Sequence, residues 1–266
     1  MFELKDQTCH SADGTRIVYD LYGTGPVLIF ITGAICHRRF QPVVKDAKVF
    51  AESFKVVNYD RRGRGDSSNT LPYSVEKEVE DIGALIAAMG SEKVFLYGHS
   101  SGAVLALEAA LQFPSQIAKV ALYEAPYPPN EKEEIKSQNL YQELKELISL
   151  GSYGKALRRF LMDIGMPKVF IYLLPLMPGW NRMKALAPTL EYDMILTKDL
   201  PDTKRLSSVQ TPSLILYGEK STYDFKTVAG SLKSALRNTQ VEVVNGQDHM
   251  VDPKALLPKL QNFFLS

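Results

Sequence analysis

With 266 residues the chain is long enough for one sizeable core, and 45% hydrophobic and 23% charged residues are ordinary for a globular protein. A formal net charge of +1 excludes a global positive field that would collect phosphates, so nucleic acid is not an expected partner. Two cysteines, Cys9 and Cys36, cannot make a disulfide framework, and Met1 to Asp6 has no basic region leading into an apolar stretch.

In chain order, Ser11-Ala12-Asp13-Gly14 reads as a turn and Thr15 to Tyr22 as a strand. A second turn, Gly23 to Pro26, leads into the apolar run Val27 to Ile31, as expected for a strand buried on both faces. Phe54 to Tyr59 is a similar run. Ser74 predicts a helix N-cap, with Glu76 and Glu78 where the helix dipole favours acid. Val79, Ile82, Ile86 and Met89 then repeat at helical spacing until Gly90. Val94 to Tyr97 predicts a strand, Ala103 to Leu111 a helix, and Val120 to Tyr123 and Leu214 to Tyr217 two more strands. A last strand spans about Val241 to Val244, and Pro253 to Phe264 closes the chain as a helix.

Short buried strands alternating with helices predict an α/β fold, a mostly parallel twisted sheet with helices on both faces. The stretch from about Pro126 to Leu206 breaks the alternation and is rich in helix formers, aromatics and Met. It predicts a helical lid insertion over the carboxyl edge of the sheet. The expected organisation is a core from 1–125 and 207–266 with a cap at 126–206. No run reaches the length of a membrane span; the nearest, Met166 to Trp180, is interrupted by Pro167, Lys168, Pro175 and Pro178. A cytoplasmic protein without membrane contact is expected, as a monomer or homodimer.

The chemistry centres on Gly98-His99-Ser100-Ser101-Gly102, a G-x-S-x-G sequence directly after one predicted strand and directly before a predicted helix. A serine at such a turn stands clear of the sheet, and the glycines let strand and helix approach closely beneath it. The helix N-terminus also aims free N–H groups at the site, which favours a developing oxyanion. Serine needs a base to take its proton. Of the four histidines, His10 lies in an early strand or turn, His99 fills the variable position of the turn, and His37 follows the strand ending at Ile31. His249, between the last strand and the last helix, is the candidate base.

Over nearly its whole length the chain resembles the α/β-hydrolase superfamily. The resemblance rests on Ile31-Thr32-Gly33-Ala34, on Asp60-Arg61-Arg62-Gly63-Arg64-Gly65-Asp66-Ser67 (similar to that family's D-x-R-G-x-G-x-S turn), on the Ser100 turn and on the His249 loop. It implies a structural role for Arg61-Arg62 at a strand end, and an oxyanion hole from the backbone N–H groups of Ala34 and Ser101. Two departures stand out. Ser221 occupies the position where the family usually carries its acid, and Thr32 stands where many relatives have His. Glu124, at the end of the preceding strand, is the expected substitute acid, with Asp224 as the alternative. An imidazolium needs such a carboxylate to fix its tautomer and stabilise its charge.

Thr32, His37, Phe170 and Trp180 are the candidate pocket residues, and an apolar cavity between lid and nucleophile is expected. No dinucleotide-binding glycine pattern and no metal-ligand spacing is present, so neither cofactor nor metal is expected. Together these residues predict a serine hydrolase acting on a small to medium apolar ester, thioester, amide or lactone. The rivals are another chemistry on the same fold, such as a perhydrolase or lyase, and a catalytically degenerate small-molecule binder.

Overall fold

Each apolar run becomes a strand because both its faces have something to bury against. The computed structural model describes residues 2–266. Eight strands form one sheet: β1 (Glu3–His10), β2 (Arg16–Tyr22), β3 (Val27–Ile31), β4 (Lys55–Tyr59), β5 (Val94–His99), β6 (Ile117–Tyr123), β7 (Ser213–Gly218) and β8 (Thr239–Val244). Their order is β1-β2-β4-β3-β5-β6-β7-β8; β1/β2 and β2/β4 are antiparallel and the other pairs parallel.

Alternate side chains go to opposite faces of a strand. Ile29, Ile31, Leu96, Val120, Leu122 and Ile215 accordingly meet α2 (Val75–Met89), α3 (Ser101–Gln112) and α10 (Phe225–Ala235) on one side. Leu28, Phe30, Val56, Tyr97, Leu214 and Leu216 meet α1 (Gln41–Phe50) and α11 (Pro253–Phe264) on the other. The predicted start and stop of α2 hold in detail. Ser74 accepts a hydrogen bond from the Lys77 N–H, and Gly90 takes the left-handed conformation that ends the helix.

Three elements have no counterpart among the sequence expectations: β1, α1 and α10. β1 is an edge strand with most of its residues exposed, so it carries no buried apolar run. His10 ends it, exposed to solvent.

Between β6 and β7 lie α4 (Glu131–Ser149), α5 (Tyr153–Asp163), α6 (Lys168–Leu173), α7 (Trp180–Ala185), α8 (Leu190–Thr197) and α9 (Thr203–Leu206). Leu140, Leu144, Leu157, Phe160, Ile171 and Leu190 give these helices an apolar cluster of their own, which also takes in Ala34 and Ile35 from the loop after β3. No helix among the described residues is long and apolar enough to cross a membrane.

Candidate active site

Ser100 sits between β5 and α3 with φ 57° and ψ −129°, a conformation that L-residues rarely adopt. The turn is held by the Ser100 N–H on the Tyr123 carbonyl at 2.9 Å and the Ala103 N–H on the Ser100 carbonyl at 2.8 Å. Its two glycines are sterically required. A Cβ on Gly98 would lie 2.3 Å from the Gly102 carbonyl oxygen, and one on Gly102 would lie 2.2 Å from that of Ile31.

Glu124 lies one strand away, just past β6, and is 1% exposed, with φ 49°. A buried carboxylate needs partners, and Glu124 has three. Its Oε1 accepts the Gly218 N–H at 2.8 Å and the Ser221 hydroxyl; its Oε2 is 2.7 Å from His249 Nδ1. The structure therefore brings Glu124 and His249 together and gives Ser221 a place beside them as a hydrogen-bond donor. Asp224 is used elsewhere: it caps α10, accepting the Thr227 N–H at 3.1 Å.

The His249 loop is latched from several sides. Tyr123 donates its hydroxyl to the Asp248 carbonyl at 2.6 Å, and the Lys220 N–H reaches the Gln247 carbonyl at 2.8 Å. Gly218 permits the close approach, since a Cβ there would lie 2.5 Å from the Gln247 carbonyl oxygen. Phe225 stacks on the His249 ring with centroids 5.9 Å apart. His249 itself is 38% exposed at its side chain, so its other edge is open.

His99 stacks on Tyr123, centroids 5.5 Å apart, and its Nε2 is 2.9 Å from the His249 carbonyl oxygen. Burial pushes the His99 imidazole down to about 4, with the nearby His249 ring acting in the same direction. An unfolded histidine titrates near ~6.5, so between that pH and about 4 the unfolded chain binds more protons than the folded one. The His99 contribution to stability is therefore whole above pH ~6.5 and is lost as pH falls through about 4. Asp46 and Asp81 act in the opposite sense, because burial raises their carboxyls to about 7 and about 6. Comparison with His99→Gln isolates the histidine: thermal melts across this range should lose stability more steeply with acid in the wild type. Parallel curves would contradict this reading of His99.

Around the turn lies a buried ionic network. Arg61, Arg62 and Arg64 are each no more than 1% exposed. Arg62 pairs with Asp81 at 2.6 Å, Arg61 with Glu78 at 2.6 Å and with Asp193 at 2.8 Å, and Arg64 with Asp193 at 2.7 Å. Burial works to raise the Glu78 and Asp193 carboxyls, but the arginines outweigh it and hold both below the ordinary range. Asp193 belongs to α8 and is not among the residues that the sequence singles out.

The remaining candidates divide. Ser101 opens α3, so its N–H has no intrahelical acceptor. Ala34 is half-buried in the loop after β3. A Cβ on its neighbour Gly33 would lie 2.9 Å from Ser100 Cβ, which places this loop against the serine. Thr32 is buried, with its carbonyl held by Arg61 at 3.3 Å. His37 is buried beside Phe40, and burial followed by Arg182 and Arg38 depresses its imidazole. The other two lie on the helices between β6 and β7. Phe170 is 42% exposed on α6, and Trp180 packs on the apolar cluster of α4 to α8 with the Arg158 guanidinium 5.9 Å over its ring. Two surface depressions run along α1, past Gln41, Val44 and Lys48; neither is lined by Ser100 or is the apolar cavity expected from the sequence.

The family model described as the alpha/beta hydrolase family matches residues 28–257. The chain belongs to the α/β hydrolase family. Among solved structures, an α/β hydrolase from Sphaerobacter thermophilus is 34% identical, with a TM-score of 0.85 over 97% of this chain and 100% of that one. A protein named proline iminopeptidase PfmaB from Pestalotiopsis fici is 24% identical over 257 residues, covering 90% of this chain and 91% of its own length. An esterase from Exiguobacterium antarcticum shares the fold, with a TM-score of 0.75 at 18% identity over 98% of this chain and all of that one. The family match over most of the chain makes this protein an enzyme of that family.

Proposed function

We propose that this α/β hydrolase is a serine hydrolase that cleaves a small to medium apolar ester through an acyl-enzyme. Ser100 is the nucleophile, His249 the base, Glu124 the acid, and the N–H groups of Ala34 and Ser101 form the oxyanion hole. The observation that carries the reading is the 2.7 Å contact from His249 Nδ1 to a buried Glu124, which follows the strand next to the one that ends in the strained Ser100 turn.

With Nδ1–H donated to Glu124, His249 presents the lone pair of Nε2. That nitrogen takes the Ser100 proton as the hydroxyl oxygen attacks the ester carbonyl. The tetrahedral oxyanion is held by backbone N–H groups, and His249 then returns the proton to the departing alcohol. Water, activated by the same nitrogen, releases the acid. Thioesters, amides and lactones are open to the same steps. The helices at 126–206 act as the cap over the acyl group, and the enzyme works in the cytoplasm on a small molecule.

A degenerate binder is the weaker reading. A missing carboxylate at the Ser221 position would favour it, but Glu124 offers His249 a carboxylate by another route. The test is a p-nitrophenyl ester series from acetate to decanoate. Each methylene that enters an apolar pocket is worth about 0.8 kcal/mol, so kcat/KM should climb roughly fourfold per carbon until the pocket is full. Folded protein that turns over none of these esters would overturn the proposal.

A further inference from the structure

We propose that Arg64, held in place by Asp193, is a positioning residue that aims the Ala34 N–H at the oxyanion. The inference rests on the serine-hydrolase reading above.

A trans peptide unit is planar, and its N–H points opposite to its C=O. Arg64 Nη1 donates to the Gly33 carbonyl at 2.7 Å, and Arg61 Nη1 donates to the Thr32 carbonyl at 3.3 Å. Two successive carbonyls after β3 are thereby drawn towards buried guanidiniums. The N–H in the same plane as the Gly33 carbonyl is that of Ala34, so it is turned away from Arg64. Gly33 lies against the nucleophile: a Cβ there would be 3.4 Å from Ser100 Oγ. Ile35 follows with φ 52°, a conformation that its surroundings must enforce. The hydrogen bond from Arg64 is one such constraint on this loop.

Arg64 needs its own anchor. Among the described residues its carboxylate partner is Asp193, which it meets through both oxygens at 2.8 and 2.7 Å. The Asp193 Oδ1 atom also accepts the Ser101 hydroxyl at 2.7 Å and Arg61 Nη1 at 2.8 Å. Ser101 carries the other proposed oxyanion donor. One buried carboxylate on α8 thus ties together the two backbone segments that must converge on the oxyanion. The docking of this helix and the geometry of the hole are one arrangement.

Arg64→Lys and Asp193→Asn test the idea. Lysine keeps the charge, but a single ammonium cannot reproduce the planar fork that meets Asp193 and the Gly33 carbonyl together. Active sites are counted with a fluorophosphonate, and kcat on p-nitrophenyl butyrate is expressed per counted site. Positioning predicts a fall of about 10- to 100-fold per site with KM within about threefold, as for partial loss of one oxyanion donor. Amide hydrogen exchange over residues 32–36 should quicken as well. A merely structural role predicts fewer counted sites with unchanged turnover at each, and that result overturns the proposal. Should Asp193→Asn fail to fold, Arg64→Lys carries the test alone. Wild-type protein with no countable Ser100 site would instead sink the serine-hydrolase reading, and this proposal with it.

Discussion

Ser100→Ala is expected to lower kcat by about a millionfold on any ester that the wild type hydrolyses. The size of the effect follows from chemistry. On the proposed mechanism no acyl-enzyme forms without the hydroxyl, and what survives is the part of catalysis supplied by the oxyanion hole and by binding, about 10³ to 10⁴ over water. The fold should not suffer. The Ser100 backbone is fixed by its N–H on the Tyr123 carbonyl and by its own carbonyl, and neither contact uses the side chain. Thermal melts of the two proteins should agree to within about 0.5 kcal/mol. A variant that keeps even a hundredth of wild-type turnover would mean that another group attacks the substrate.

Glu124→Gln should reduce kcat by about 10³- to 10⁴-fold. The reason lies in the three partners of this side chain. Gly218 N–H and the Ser221 hydroxyl both donate to Oε1, so a glutamine would keep its carbonyl oxygen there and turn its amide nitrogen to His249 Nδ1. An amide donor at Nδ1 forces the proton onto Nε2, the nitrogen that the proposed mechanism needs free to accept from Ser100. The variant would hold the ring in place in the wrong tautomer. Asp224→Ala is the control: losing this cap of α10 should cost about 1 kcal/mol of stability and leave kcat within about twofold. Steady-state kinetics and denaturant melts on the same preparations separate the two outcomes, and a reversed order of kcat losses would move the acid to Asp224.

Much of this architecture is legible in the chain because burial writes itself into composition. Val27–Ile31 and Pro253–Phe264 are strand and helix over the residues that their patterns predict. β1 is not legible, because an exposed edge strand reading ELKDQTCH has no apolar face to announce it. α1 and α10 did carry a signal, in Val43, Ala47 and Phe50 and in Val228, Leu232 and Ala235, which recur at helical spacing. Glu124 is readable as a carboxylate at a buried strand end, and the structure seats it against His249. The role of Ser221 as donor to that carboxylate is not readable, since it depends on how the loop after β7 turns the hydroxyl back onto Glu124. Asp193 is further out of reach: it lies 129 and 132 residues from Arg64 and Arg61, and no local pattern links a helix inserted after β6 to a turn after β4.

On the proposed mechanism Ser100 attacks the substrate and carries the acyl group. Incubating folded protein with a fluorophosphonate and weighing it intact tests this most directly. One adduct per chain, mapped by peptide fragmentation to Ser100 and absent from Ser100→Ala, is expected of a nucleophilic Ser100. Wild-type protein that stays unmodified, or a label that persists in Ser100→Ala, would contradict it.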